Sequence, residues 1–274
     1  DGSMFPNLVN LEISNNKLTE FKNYPPNIEE LNIAGNDISE LGDFPKPLKK
    51  ILAEANSLEV LPDMNDGLKH VDFDNNEFVE FPEFPDSVEH IDFNYNNVTS
   101  IDHLPEELKY FSIFNNAVEK INCELPDLIE EIDLSNNSLD DMPTLPPNSK
   151  KVDISNNTIY ELVDIPESVE EFDCSDNIIL DIPQELLLRK NLKISCRDNN
   201  TFGFGQDMTG VNGDDDGDPF EAFSGVGHRL GNNTQPYRPH YTSGTTYNNT
   251  HYGNNYGFGG HGVHYGSGYN VAKS

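Results

Sequence analysis

Apolar residues recur along residues 5–199 in one pattern that repeats about every 20 residues. The stretch LVNLEISNNKL at residues 8–18 returns as IEELNIAGNDI at 28–38 and as IEEIDLSNNSL at 129–139. We number this template from its first residue, so that positions 1, 4, 6 and 11 are apolar and position 9 is asparagine. The alternation around positions 4 to 6 predicts a short strand in each unit, and the period predicts stacked coils that share one core.

The position-9 asparagines show how regular the array is. Seven of their eight intervals are 20 residues and one is 21. A side-chain amide both donates and accepts, so at a turn it can satisfy backbone groups that would otherwise be buried unpaired. These asparagines are predicted to form a structural ladder along the stack: Asn16, Asn36, Asn56, Asn76, Asn96, Asn116, Asn137, Asn157 and Asn177.

The second half of each unit contains proline near its end, as in LTEFKNYPPN at residues 18–27 and LDDMPTLPPN at 139–148. Proline disfavours helix in the residue before it, so these connections are predicted to be extended or polyproline II. The unit resembles the short leucine-rich repeats (LRRs) of bacterial effector and giant-virus proteins. That resemblance implies an α/β-class LRR solenoid, mostly parallel β and polyproline II with little helix. It also implies an open arc with the sheet on its concave side.

The repeat pattern changes after Asn177, and we predict a C-terminal cap from about residue 178. Pro183 is expected to begin a short helix. Residues 192–194 resemble a last strand, with Arg197 where the ladder asparagine would be. The predicted domains are an LRR arc at 1–199 and a tail at 200–274. The tail is rich in Gly, Tyr and Asn and is predicted to be disordered, because it has too few apolar residues to offset its chain entropy.

The formal charge of −31 excludes some classes of partner. Residues 1–199 carry −28 of it, which argues against nucleic acid or an anionic membrane. The acidity has two open interpretations, solubility of the array or attraction of a basic client. The three cysteines lack a disulfide-framework spacing, and no signal peptide or apolar span is visible. We expect a reducing, cytoplasmic location (host cytoplasm for a pathogen or viral protein) and predict neither a cofactor nor a metal.

LRR proteins usually bind partners on the concave face, so the polar strand positions are candidate binding residues. Position 5 is mostly acidic, and an aromatic group surrounds the interruption at Ser112. Aromatics amid acidic residues are typical of an interface hot spot, although such rings can also simply pack across strands. A column of carboxylates could alternatively hold cations, but it lacks the other ligands that calcium needs. The candidate client-binding residues are His90, Tyr95, Tyr110 and Phe114, which are expected to be exposed, and the outward-pointing Asp72, Asp92, Asp133, Asp153 and Asp173.

A short motif lies in the tail at residues 219–232, PFEAFSGVGHRLGN. It resembles the SHP box, through which ubiquitin fusion degradation cofactors and derlins bind the N-domain of the valosin-containing AAA ATPase. The resemblance implies that two apolar side chains fill pockets and that glycines let an extended backbone approach the partner. Coincidence in a glycine-rich segment is the alternative. The matching residues are Phe223, Gly225, Gly227, Leu230 and Gly231.

Enzyme signatures are weak. Cys196-Arg197-Asp198 resembles the Cys-x-Asp of the ubiquitin-ligase domain that follows similar repeats in bacterial effectors, but the remaining residues are too few for that domain. We therefore expect a non-enzymatic adaptor whose repeats bind a protein client and whose tail binds the ATPase. The alternative is a structural or surface-interaction protein, for example in a virion, whose tail self-associates.

Overall fold

A computed structural model describes residues 4–199, which form a continuous stack of short coils. Each coil contributes one strand of three residues to the main sheet, and a few coils add a two-residue strand on the opposite side. The strands are β1 Asn10–Glu12, β2 Glu20–Phe21, β3 Glu30–Asn32, β4 Glu40–Leu41, β5 Lys50–Leu52, β6 His70–Asp72, β7 His90–Asp92, β8 Ser100–Ile101, β9 Tyr110–Ser112, β10 Lys120–Ile121, β11 Glu131–Asp133, β12 Lys151–Asp153, β13 Glu171–Asp173 and β14 Lys193–Ser195.

The main sheet is parallel and ten-stranded, in the order β1-β3-β5-β6-β7-β9-β11-β12-β13-β14. Each strand pairs with the strand one coil away at the same template positions, as Leu31 pairs with Ile51 and Ile91 with Phe111. This register follows from the constant repeat length, because one coil advances the chain by one strand spacing of about 4.8 Å. The predicted LRR solenoid is confirmed.

The core lies between the main sheet and the proline-containing segments. The middle residue of each strand, at position 4, points into it, and position 6 follows just after the strand. Ile51, Val71 and Ile91 are fully buried. Near the middle of the stack the core is aromatic, with the Phe78 and Phe93 rings 4.9 Å apart. Burial of these side chains requires a neighbouring coil on each side, so the core stabilises the stack rather than any single unit.

The proline-containing halves are extended, as predicted. Each ends in a tight turn, such as the one in which the N–H of Val88 donates to the carbonyl of Pro85 at 3.0 Å. The two-residue strands lie in these proline-containing halves and pair in parallel, β2 with β4 and β8 with β10. Within residues 4–199 the one α-helix is α1, Gln184–Leu187. No helix in this described part has the length and apolar composition needed to cross a membrane.

Template position 8 is a left-handed turn in every coil. The backbone φ there is between +52° and +62°. Asparagine, aspartate and glycine adopt this conformation more readily than other residues, and they dominate the position. The two exceptions are Ala55 and Tyr95. The residues at position 8 of the described coils are Asn15, Gly35, Ala55, Asn75, Tyr95, Asn115, Asn136, Asn156, Asp176 and Asp198.

The next residue, at position 9, is the ladder asparagine, which connects two coils through its side chain. The Asn96 amide nitrogen donates to the carbonyls of Phe93 and Asn94 in its own coil and of Phe73 in the preceding one. Its carbonyl oxygen accepts the N–H of Phe78 at 3.2 Å. The same bonds recur from Asn36 to Asn177, whereas the first asparagine, Asn16, bonds only within its own coil among the described residues.

The C-terminal cap contains α1 and β14. The helix begins directly after Pro183, as predicted, and buries Leu186. The Arg189 guanidinium donates to the carbonyls of Ile165 and Pro166, which satisfies backbone acceptors of the preceding coil. The predicted ladder position of Arg197 is wrong. Asn199 occupies it instead, because its carbonyl oxygen accepts the N–H of Ile179 and its amide donates to Cys174.

Candidate functional site on the sheet face

Template positions 3, 5 and 7 lie on the face of the main sheet that points away from the core, which we call the sheet face. Parallel in-register pairing aligns each position in a column along the stack. At position 3, His70 pairs with His90 and His90 with Tyr110. At position 5, Asp72 pairs with Asp92. Side chains that are 20 residues apart in sequence are therefore direct neighbours.

Three rings of the position-3 column stack face to face. The His70 and His90 ring centroids are 4.1 Å apart with planes 7° from parallel, and His90 and Tyr110 are 4.1 Å apart at 5°. The stack buries Tyr110 to 8% exposure, whereas both histidines keep partial exposure. The expectation that Tyr110 is exposed is wrong, because its neighbours in the column cover it.

A second aromatic pair lies in the same two coils as His90 and Tyr110. The Tyr95 ring meets the Phe114 ring edge-on, with centroids 4.8 Å apart. Phe114 is buried, so its expected exposure is also wrong, while Tyr95 remains partly exposed. Tyr95 has φ of +52°, a conformation that is costly for a bulky side chain. It is the one aromatic at position 8 in the described coils.

The acidic column at position 5 is present, but most of its carboxylates are covered by their neighbours. Asp92, Asp133, Asp153 and Asp173 point outward but are all buried, so they do not form the expected open acidic surface, and Asp72 is half-buried. Each carboxylate of the column is flanked by side chains at the adjoining template positions and on the adjacent strands. These side chains cover it from the sides. A residue that points away from the core is therefore not necessarily accessible.

Asp153 shows the electrostatic consequence of this packing. Burial raises its pKa well above the usual value, and the carboxylates of Asp133 and Asp173 on the adjacent strands raise it further. Its Oδ1 accepts the N–H of Ser155 at 2.8 Å. Its buried Oδ2 makes no hydrogen bond with any residue in 4–199. Since like charges at strand spacing repel, the column favours protonation of this carboxyl group.

At the centre of the sheet face, Asn94 connects the acidic residues to the aromatic pair. Its backbone N–H and side-chain amide donate to Asp74 at 2.6 Å and 3.0 Å. Its side-chain oxygen accepts from the Ser112 hydroxyl and the Phe114 N–H. Burial nonetheless raises the pKa of Asp74 well above its usual value, with the charge of Asp92 as the next cause. The pKa of Asp72 is raised for the same main reason, burial.

His70, His90 and Asp92 bring three metal-ligating side chains together. One ring nitrogen of each histidine and one Asp92 oxygen lie within 4.8 Å of one another, and His90 Nε2 is 2.8 Å from Asp92 Oδ2. Burial lowers the pKa of His70 to about 4, and the neighbouring His90 and Lys50 lower it too. The His70 imidazole is therefore neutral at pH 7, the form in which a ring nitrogen can bind a metal ion. No other such trio occurs among the described residues.

The sequence interpretation missed His70, Asp74 and Asn94. Their signal was present, because His70 occupies the same template position as His90 and Tyr110, and Asp74 and Asn94 share position 7 with Phe114. Comparing residues down each column, rather than along each unit, would have identified them.

Cys196, considered above as part of a ligase-like motif, has a pKa that burial raises above its usual value, with Asp173 adding to the shift. A raised pKa reduces the thiolate fraction and thus the nucleophilicity. The SHP-like residues Phe223, Gly225, Gly227, Leu230 and Gly231, like the predicted tail at 200–274, lie outside the described residues.

No protein-family model matches the sequence, and no curated protein matches it. Several solved structures, however, are similar to this chain. The leucine-rich effector YopM from Yersinia pestis shares 26% identity with a TM-score of 0.64, over 72% of this chain and 54% of that one. YopM from Yersinia enterocolitica shares 26% identity with a TM-score of 0.58, over 73% and 53%. InlJ from Listeria monocytogenes has 19% identity and a TM-score of 0.65, over 72% and 45%.

The repeat register, the asparagine ladder and these structures together define the class of the protein as an LRR solenoid. The resemblance to bacterial effector repeats is confirmed at the level of the fold. The chain spans about half the length of either YopM structure, with 53% and 54% of those chains covered.

Proposed function

We propose that the protein is a non-enzymatic adaptor in the cytosol of a eukaryotic cell. In this proposal the sheet face binds a protein client, and the SHP-like tail segment recruits the valosin-containing AAA ATPase. The LRR effector-like fold supports a protein-interaction role in general. The client and the ATPase are specific proposals, which rest on the chemistry of the sheet face and on the tail sequence.

The observation that supports client binding is the centre of the sheet face. There the partly exposed rings of His70, His90 and Tyr95 lie beside buried carboxylates. Large, rigid rings at the middle of an interface supply contact area at little entropic cost, which is typical of hot spots. The crowded carboxylates favour a partner that supplies positive charge, because such a partner stabilises their ionised form. The proposed client therefore presents a basic and apolar surface.

Several lysines of the repeats lie where they cannot neutralise this centre. Lys69 and Lys109 both pair with Glu89, at 2.8 Å and 2.6 Å, at template position 2 rather than on the sheet face. Lys49 pairs with Glu29 in the same way. These pairs are exposed and contribute little to stability, and they hold the three lysines at position 2, away from the acidic column.

The tail segment supports the second half of the proposal by sequence alone. Phe223 and Leu230 have the spacing that an SHP box requires, and Leu230 is the one leucine of residues 200–274. A binding motif joined to a client-binding domain by a polar chain acts through effective concentration, because it holds the bound client near the ATPase.

The test of ATPase recruitment is a calorimetric titration of the purified ATPase N-domain with the full chain. We expect binding by the natural sequence and at least tenfold weaker binding by the Phe223→Ala, Leu230→Ala double variant. Phe258→Ala, which changes a tail phenylalanine outside the motif, is the matched control and should bind normally. Equal affinity of the double variant would exclude the motif.

The client-binding half is tested by photo-crosslinking in eukaryotic lysate. A photoreactive amino acid replaces Tyr95 on the sheet face or, as the control, Val79, which is 58% exposed on the opposite side. We expect a crosslinked protein from position 95 that is absent from position 79. The same products from both positions would contradict a client site on the sheet face. Self-crosslinks that disappear on deletion of residues 240–274 would favour the self-associating alternative.

A further inference from the structure

We propose that His70, His90 and Asp92 form a binding site for a zinc ion. His90 and Asp92 are two residues apart on β7, so both side chains point to the sheet face, and His70 is the direct neighbour of His90 on β6. Their three ligand atoms lie within 4.8 Å of one another. This proposal is independent of the adaptor function, and either can fail without the other.

Two imidazole nitrogens and one carboxylate oxygen match the ligands that zinc takes in proteins, with a fourth position left open. Ligand atoms about 2.1 Å from zinc are roughly 3.4 Å from one another in tetrahedral geometry. His90 Nε2 and Asp92 Oδ2 are 2.8 Å apart, a hydrogen-bond distance, so a zinc ion would replace the proton between them and move the two atoms about 0.6 Å further apart. The His70 ring is stacked parallel to the His90 ring with centroids 4.1 Å apart, so binding one ion requires the partly exposed His70 side chain to rotate out of this stack.

The surroundings of the trio favour a cation. Asp72 pairs with Asp92 on the adjacent strand, and the Asp74 carboxylate, two residues further along, accepts two hydrogen bonds from Asn94 in the coil of Asp92. A buried carboxylate is stable when a proton, a cation or a hydrogen-bond donor compensates its charge. A divalent ion beside Asp92 supplies such compensation to several carboxylates at once.

A buried oxygen in the coil before that of His70 points the same way. The Glu54 Oε2 atom is buried without a hydrogen-bond partner among residues 4–199. Unsatisfied buried oxygens are costly and usually indicate a water or ion that completes the site. A hydrated zinc ion provides both the ion and its bound water.

The test measures zinc binding by the full chain after removal of metals with a chelator. We expect isothermal titration to show a tight site that is at least tenfold weaker in the His70→Gln, His90→Gln variant. His103→Gln is the matched control, since His103 is an exposed histidine of the same repeats, 49% exposed in its side chain. All these variants keep the five tail histidines, so binding by the tail remains constant.

Diethyl pyrocarbonate labelling followed by mass spectrometry resolves the histidines individually. Zinc is expected to protect His70 and His90 from modification at least fivefold, with His103 modified as before. Asp92→Asn, which preserves the side-chain shape, is expected to lose this protection while the far-UV circular dichroism spectrum is unchanged. Unaltered labelling of His70 and His90 at saturating zinc, or equal zinc affinity of the double variant, would overturn the proposal.

Discussion

The Tyr95 ring packs edge-on against the Phe114 ring at 4.8 Å, although its backbone has φ of +52°. Every other described coil except that of Ala55 has asparagine, aspartate or glycine at this turn. A bulky residue in the left-handed region costs about 1 kcal/mol or more. Tyr95 lies in the same coil as His90 and Asp92, and local strain kept at a partly exposed ring agrees with a binding role.

Replacing Tyr95 with asparagine should therefore leave the free energy of unfolding within about 1 kcal/mol of its original value. The variant relieves backbone strain but loses an aromatic contact worth about 0.5–1.5 kcal/mol, and these two effects oppose each other. Urea denaturation followed by circular dichroism measures the difference. Asn75→Tyr, at the same turn one coil earlier, is the reverse control and should destabilise by about 1 kcal/mol. A loss above about 2 kcal/mol in Tyr95→Asn would show that the ring is mainly structural.

The asparagine ladder predicts a contrast between the middle and the end of the stack. Asn96→Ala removes a buried side chain that accepts from Phe78 and donates to Phe73, so it leaves backbone groups of two coils without partners. Each such group costs about 1–3 kcal/mol, and we expect a loss of roughly 2–4 kcal/mol.

The control for the ladder is Asn16→Ala, because Asn16 is exposed and donates only to Ile13 and Ser14 among the described residues. Its backbone partners can bond to water instead, so we expect a loss below about 1 kcal/mol. Chemical denaturation of the two variants checks the comparison. Similar losses would mean that the bonds between coils contribute little.

The pKa of Asp153 predicts a pH-dependent effect of neutralising it. In the folded protein its pKa is raised, so the folded state binds the proton more tightly than the unfolded state, whose pKa is about 3.9. The stability that this proton provides is complete below about pH 4 and is lost as the pH rises through the raised pKa. Asp153→Asn should therefore stabilise the protein at pH 8, by about 1 kcal/mol or more, and should have little effect at pH 4.

Thermal unfolding of this variant at the two pH values is the measurement. The side-chain oxygen of the introduced asparagine can still accept the N–H of Ser155, so the local turn is retained. A lower melting temperature at pH 8 would contradict the electrostatic interpretation of the column.

The cysteines of the repeats should react slowly with iodoacetamide at pH 7.5. Burial raises the pKa of Cys196 and, well above its usual value, that of Cys174, so little thiolate is present. Mass spectrometry should show rates at least about tenfold below that of free cysteine for both. A fast-reacting Cys196 would instead support the nucleophile of the ligase-like motif.

The binding residues were less predictable than the fold. Asp92 and Tyr110 were correctly assigned to the strand face from their positions in the template, but their burial was not foreseen. Burial depends on the side chains of the adjoining strands, which are 20 residues away in sequence and become neighbours only when the coils stack. The role of Asn199, rather than Arg197, in the ladder was missed for a related reason, since the cap lengthens its coil to 22 residues.

By itself the sequence determined the coil, its strand, its asparagine and its extended proline-containing half. These features depend on the local pattern of apolar and polar residues and on the constant repeat length, which sets the register in which successive coils stack. Only the tertiary structure decided that His70, His90 and Asp92 converge, that Tyr95 rests on Phe114 and that the carboxylates of the column are covered. Those relationships join different coils, so their distances follow from the register and side-chain packing of adjacent strands and not from the pattern within any one repeat.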